Sequence, residues 1–130
     1  MSSEQTSVGV LGGTGPAGTA LAARLASIGY NVVIGSRSSE RAEEKAKEIR
    51  DAWPALNLPL RGGSNEESAA CDIVVLATPW DSAATTVREH AAALRGKVVI
   101  SMANALVRVG HEFQPLVPPR GSVAAHVQAA

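Results

Sequence analysis

Short apolar runs alternate with helical stretches through most of the chain, and the leading run is closed off by glycines in the manner of a buried strand. Its 130 residues suffice for one domain with a real core and not comfortably for two. These observations predict an α/β fold: one domain holding a doubly wound parallel sheet of five strands, with right-handed crossovers and helices on both faces.

Val8 to Leu11 is the first predicted strand. Pro16 to Ile28 follows as a helix. Proline suits a first helical position, where its missing N–H would have no partner anyway. Leu21, Leu25 and Ile28 share one face, and Gly29 is a natural stop. Asn31 to Ile34 is the second strand. After the Gly35-Ser36-Arg37-Ser38 loop, Ser38 or Ser39 can cap a charged outer helix over Glu40 to Trp53. Ala42, Ala46, Ile49 and Trp53 form its apolar stripe, Glu43 and Lys47 a favourable pair four apart, and Pro54 its end.

Leu58 to Leu60 is a weak third strand, Gly62 to Asn65 a turn, and Glu66 to Ala70 a short helix. Ile73 to Ala77 is a strong fourth strand. Beyond Thr78-Pro79-Trp80, Asp81 is placed to cap a helix running to about Leu94. Gly96 breaks that helix, and Val98 to Ser101 is the fifth strand. The pattern then loosens into a proline-rich irregular connection, and Ser122 to Ala130 opens another helix. In domain terms, residues 1–7 are expected to be a disordered lead-in, 8–103 the parallel-sheet unit, and 104–130 an irregular connection with a terminal helix.

Composition excludes several classes. The formal net charge is zero, which argues against a nucleic-acid surface. The longest apolar runs, such as DIVVLATPW, are far short of a membrane span. MSSEQTS lacks the pattern of a signal peptide, and the single cysteine fits a reducing cytoplasm. Aromatic residues are scarce, so a large aromatic cage is not expected.

The motif with most chemical content is Gly13-x-Gly15-x-x-Gly18, between a predicted strand and a predicted helix. That context is what a Rossmann-type dinucleotide site requires. Gly13 allows the tight turn, Gly15 lets a pyrophosphate approach the backbone, and Gly18 lets the helix pack on the strand. The helix start supplies N–H donors and a positive dipole end. Pro16 removes one donor, so the amides around it, Ala17 included, and the Thr14 hydroxyl must serve. The alternative is a glycine-rich turn without a ligand.

The second strand's end selects the dinucleotide. An NAD site usually places Asp or Glu there to hold the ribose 2′-hydroxyl. Here Gly35-Ser36-Arg37-Ser38 contains no carboxylate. Arg37 can pair bidentately with a 2′-phosphate, Ser36 and Ser38 add hydroxyls, and Arg41 lies one helical turn on, which favours NADP(H). Ligands of such sheets lie across the strands' carboxyl ends, so Ala77, Thr78, Pro79 and Trp80 are expected to face the nicotinamide half. Trp80 either covers a ring or packs on the following helix. Ser101, Met102, Ala103 and Asn104 should border the same crevice.

No catalytic acid–base set and no metal site emerge. His90 falls mid-helix as a surface residue, His111 and His126 have no obvious partners, and Cys71 suits a buried strand entrance. Chemistry that needs little from side chains fits: direct hydride transfer between two bound cofactors. A non-catalytic NADP(H)-binding or redox-sensing module, and an NADP-dependent reductase of a small carbonyl or imine, remain open.

The stretches GVLGGTGPAGTALAARLASIGYNVVIGSR, CDIVVLATPW and GKVVISMANALVRVGHEFQPLVPPRGSVAAHVQ, in that order, resemble the NADPH-dependent reductases of coenzyme F-420, a deazaflavin. The resemblance runs from Val8 to the last residue. It implies reversible hydride transfer between reduced F-420 and NADP+. By motif position Thr14, Ser36, Arg37 and Arg41 would hold the 2′-phosphate, Gly13 and Gly15 would face the pyrophosphate, and Pro79 and Trp80 would neighbour the nicotinamide, on which the deazaflavin would stack. Family members continue through a sixth strand and a smaller carboxyl-terminal domain that contributes to dimerisation. The resemblance therefore implies a shortened chain, with a homodimer among its expectations. It also leaves the apolar face of the last helix, Val123 and Val127, without the strand it should feed.

Overall fold

The structure is a computed structural model that describes residues 6–130. Five parallel strands, β1 (Ser7–Leu11), β2 (Asn31–Ser36), β3 (Leu60–Ser64), β4 (Ile73–Leu76) and β5 (Val98–Ser101), form one sheet in the order β3-β2-β1-β4-β5. The order reverses between β1 and β4, so the sheet is doubly wound and of Rossmann type, as expected. The helices are α1 (Pro16–Ser27), α2 (Ser39–Ala52), α3 (Asn65–Ala69), α4 (Trp80–Glu89), α5 (Ala91–Leu94) and α6 (Val123–Gln128).

Strand alternation divides the core into two layers. Val8, Val10, Val32 and Ile34 face α1 and α2, where Ala22, Ala26, Ala42 and Ala46 are buried. Leu11, Val74 and Leu76 face the other side, with Ala83, Val87 and Leu94. The interior is aliphatic, and each fully buried Leu or Ile contributes about 1.5–3 kcal/mol relative to exposure. Small residues facing the sheet let helices come close. On the second face α3 lies across β1 and β2, where a β-carbon on Gly35 would sit 2.2 Å from Ser68 Oγ.

The third strand differs from expectation. It runs from Leu60 through Gly62 and Gly63 to Ser64, not Leu58 to Leu60. Gly62 is not a turn residue but a packing one, since a β-carbon there would lie 2.1 Å from the Glu43 amide nitrogen of α2. Other boundaries moved for similar reasons. Pro79 rather than Asp81 stands at the start of α4, and His90 sits at the break between α4 and α5 rather than mid-helix. Ile28 and Trp53, expected on apolar faces, are exposed, because Gly18, Ala22 and Ala26 make the buried face of α1 and Ala42 and Ala46 that of α2. Glu43 pairs with Arg50 and Lys47 with Asp51, in place of the expected Glu43–Lys47 pair.

At the amino end, Ser7 already belongs to β1, opposite Asn31. Residues 1–5 of the expected lead-in lie outside the described residues. At the carboxyl end, the expected irregular connection contains an antiparallel hairpin, β6 (Leu106–Val109) and β7 (Glu112–Pro115). Gly110, at the turn, has φ +63. Val123 and Val127 of α6 are buried against the second layer rather than left bare. Cys71 is buried, and desolvation pushes its thiol pKa up. No helix among the described residues is long and apolar enough to cross a membrane.

Candidate functional site

A cleft of about 380 Å³ opens at the carboxyl ends of β1, β2 and β4. The loop after β1 contributes Gly12 and Thr14, the loop after β2 contributes Ser36 and Arg37, and Arg41 comes from the first turn of α2. Asn65 opens α3, Thr78 follows β4, and Ser82, Thr85, Thr86 and Glu89 come from α4. A second cavity of about 400 Å³ runs along the outer side of the glycine loop and shares Thr14 and Arg41, adding Gly15, Pro16 and Thr19.

The glycine loop is held from beneath. Gly12 has φ +64, and its N–H donates to Asn65 Oδ1 at 3.1 Å. Gly13 is buried and its N–H donates to the Gly35 carbonyl at 2.9 Å. The tight turn expected at Gly13 is therefore centred on Gly12, which carries the positive φ. Gly18 packs on Gly13 as expected, a β-carbon there falling 2.8 Å from Gly13 Cα. Gly15 is different: nothing lies within 4 Å of where its β-carbon would be. Its backbone is the approachable part of the loop.

Helix starts around the cleft are also distinctive. Side-chain oxygens of Ser38, Ser64 and Ser122 cap α2, α3 and α6. The N-cap of α1 is Gly15 and that of α4 is Pro79, and neither supplies a side-chain cap. The first-turn amides of α1 are thus left for an outside acceptor. Beside them Arg37 and Arg41 are exposed and take part in none of the ion pairs among the described residues. Open backbone, an uncapped helix start and two unpaired guanidinium groups fit a phosphorylated dinucleotide.

The remaining expected residues are spread more widely. Ser38 lies at the rim, where its hydroxyl accepts from the Arg41 amide at 3.3 Å and its own N–H donates to Ser36 Oγ at 3.2 Å. Ala17 is exposed in the first turn of α1. Ala77 donates its N–H to the Leu11 carbonyl and packs into the first core layer. The Thr78 hydroxyl is buried without a hydrogen-bond partner. Trp80 packs on the second layer, and its indole N–H donates to the Leu106 carbonyl at 3.2 Å, anchoring the hairpin.

Ser101 to Asn104 do not line the cleft. Ser101 borders another cavity, between the outer edge of β5 and α6. Met102 and Ala103 pack on opposite core layers, and Asn104 is exposed. The fifth strand is outermost in the sheet, which carries its end away from β1 and β2.

Gly12, Asn65 and the four α4 residues were not foreseen. Asn65 depends on where α3 crosses the sheet, which no local pattern reveals. The α4 residues do carry a signal, since Ser82, Thr85, Thr86 and Glu89 share one helical face. Only the sheet order says that this face looks into the cleft.

Residues 7–105 match the family model described as NADP oxidoreductase, coenzyme F420-dependent. The chain is 36% identical over 126 residues to an F420-dependent NADP reductase of Methanocaldococcus jannaschii, covering 93% of this chain and 56% of that protein. It is 36% identical over 94 residues to the F420-dependent NADP reductase of Methanothermobacter marburgensis, covering 72% and 42%. Among solved structures, a putative F420-dependent NADP-reductase from Arthrobacter sp. FB24 superposes with TM-score 0.71 at 26% identity, over 96% of this chain and 56% of that one. A malate dehydrogenase from Salinibacter ruber, at 18% identity and TM-score 0.63 over 78% of this chain and 37% of that one, shares the fold alone. The chain spans about half the length of the M. jannaschii relative and less of the M. marburgensis one.

Proposed function

Because this chain belongs to the coenzyme F420-dependent NADP oxidoreductase family, we propose that it binds NADP(H) in the cleft beside the glycine loop and serves hydride transfer between NADP(H) and the deazaflavin. One observation carries the first half of this reading. Arg37 and Arg41 are exposed and take part in no ion pair among the described residues, both beside Thr14 of the glycine loop and Arg41 beside the open backbone of Gly15. Two unpaired cations where an NAD site would hold a carboxylate suit a ribose 2′-phosphate.

The roles of the chain's own residues follow. Gly15 and the first amides of α1 receive the pyrophosphate, with the Thr14 hydroxyl beside them. Arg37 and Arg41 hold the 2′-phosphate, with Ser36 as a neighbouring hydroxyl. Asn65, through the Gly12 amide, keeps the loop in the shape that leaves these donors free. When bound, the nicotinamide and the deazaflavin supply the hydride chemistry, and the protein contributes position and charge. Residues 8–103 form the nucleotide-binding unit in this reading. A cytoplasmic location, in keeping with the single buried thiol of Cys71, and a homodimer belong to the same proposal.

The test is a parallel titration of the purified chain with NADPH and NADH, followed by a spectrophotometric assay with oxidised deazaflavin. NADPH binding well ahead of NADH, with deazaflavin reduction, is expected. NADPH binding without turnover would reduce the role to a nucleotide-binding module. Equal affinity for both nucleotides would remove the 2′-phosphate assignment.

A further inference from the structure

The two sides of the cleft have opposite hydrogen-bonding character. On the β1–β2 side it offers donors in the Arg37 and Arg41 guanidinium groups. On the α4 side it offers mainly acceptors. Ser82 Oγ donates its proton to the Pro79 carbonyl at 3.1 Å, and Thr86 Oγ1 donates to the Ser82 carbonyl at 3.0 Å. A hydroxyl has one proton and two lone pairs, so these two oxygens face the cleft as acceptors. Thr85 adds a hydroxyl that can act either way. Glu89, one turn further along the same face, adds a carboxylate that takes part in no ion pair among the described residues. On the opposite face of α4, Ala83, Ala84 and Val87 are buried. The acceptor face is thus the one turned to the ligand.

An acceptor wall needs a ligand that donates. With Arg37 and Arg41 on the 2′-phosphate, the purine is attached at the adjacent carbon of the same ribose and belongs in the same cleft. Adenine carries its donor on the exocyclic nitrogen, whereas a 6-oxopurine carries an acceptor oxygen there and its donor on ring N1, so acceptors facing the 6-position favour adenine. We propose that the α4 wall, with Glu89 as its charged acceptor, reads the exocyclic amino group of the dinucleotide's purine and selects adenine over 6-oxopurine. This rests on the NADP(H) reading above and adds a specificity element on a different helix from the phosphate contacts.

The test compares NADPH with its hypoxanthine counterpart, deamino-NADPH, by nicotinamide fluorescence titration of the wild-type chain and of Glu89→Gln. The wild type should prefer NADPH by about tenfold, the size of one hydrogen bond to a charged group. In Glu89→Gln the side-chain amide can accept from an amino group or donate to an oxo group. The preference should shrink to about twofold or less, chiefly because deamino-NADPH binds more tightly. A role in folding alone would weaken both nucleotides by the same factor. Wild-type affinities within twofold of one another, or an equal loss for both nucleotides in Glu89→Gln, would overturn the proposal while leaving NADP(H) binding intact. Failure of NADPH itself to bind would overturn the parent reading and this one with it.

Discussion

A β-carbon on Gly9 would lie 1.8 Å from the carbonyl oxygen of Ser68. The backbone of α3 rests on β1 at that point, and the contact sets how far α3 reaches toward the glycine loop. Gly15, six positions along, has empty space where its β-carbon would be and an ordinary φ of −78. The two glycines therefore separate stability from binding. Gly9→Ala is expected to cost about 3 kcal/mol or more, because backbone must move. Gly15→Ala should leave the melting temperature unchanged and weaken NADPH at least about tenfold, since the methyl occupies the pyrophosphate's approach. Thermal melts and NADPH titrations on both variants decide it. A destabilised Gly15→Ala with unchanged affinity would refute the assignment.

Arg37 should act through the 2′-phosphate alone. Arg37→Ala is expected to weaken NADPH about 10- to 100-fold, the loss of charge-assisted hydrogen bonds, and to leave NADH within about threefold. Isothermal titration with both nucleotides measures the difference. Equal losses would mean that Arg37 supports the loop rather than the phosphate.

Trp80 is assigned to the hairpin. Trp80→Phe keeps most of the ring's packing but deletes the N–H that reaches the Leu106 carbonyl. The bond contributes about 1 kcal/mol, so amide exchange over residues 106–115 should quicken while NADPH affinity stays within about twofold. A tenfold loss of affinity with unchanged exchange would move Trp80 to the nicotinamide.

Acid should loosen the fold through three carboxylates. The Ser7 N–H, at 2.9 Å, and then its hydroxyl hold the Asp72 pKa below the ordinary range. The Ser64 amide, then Arg61, does the same for Glu67, and Arg50, then the Gly62 amide, for Glu43. A carboxylate depressed in the native state contributes stability that is complete above its unfolded pKa and lost as pH falls through its native one. The melting temperature should be nearly level from about pH 7 to 5 and decline below about pH 4.5. In Asp72→Asn/Glu67→Gln the decline should be shallower, from a lower starting value. A wild-type melting temperature that rises on acidification would contradict these assignments.

Much of the molecule follows from local pattern. Alternating apolar runs and helices name the fold, Gly13, Gly15 and Gly18 carry the proposed phosphate site, and Ser36-Arg37 carries the proposed choice of the phosphorylated dinucleotide. These are short-range signals, because each depends on residues that are neighbours in the chain. The errors share one cause. Gly62 and Gly63 look like a turn and form a strand, because α2 crosses too closely for a side chain at Gly62. Ser101 to Asn104, expected to border the crevice, lie outside the lining of this cleft, because β5 is outermost in the sheet. Asn65 looks like part of a loop and holds the Gly12 amide. Composition and spacing thus carry the proposal of which ligand chemistry the chain serves. Which side chains share the cleft, Glu89 and Asn65 among them, depends on strand order and on how near each helix approaches the sheet. Those distances are set by contacts between residues far apart in the chain, and they leave no periodic trace along it.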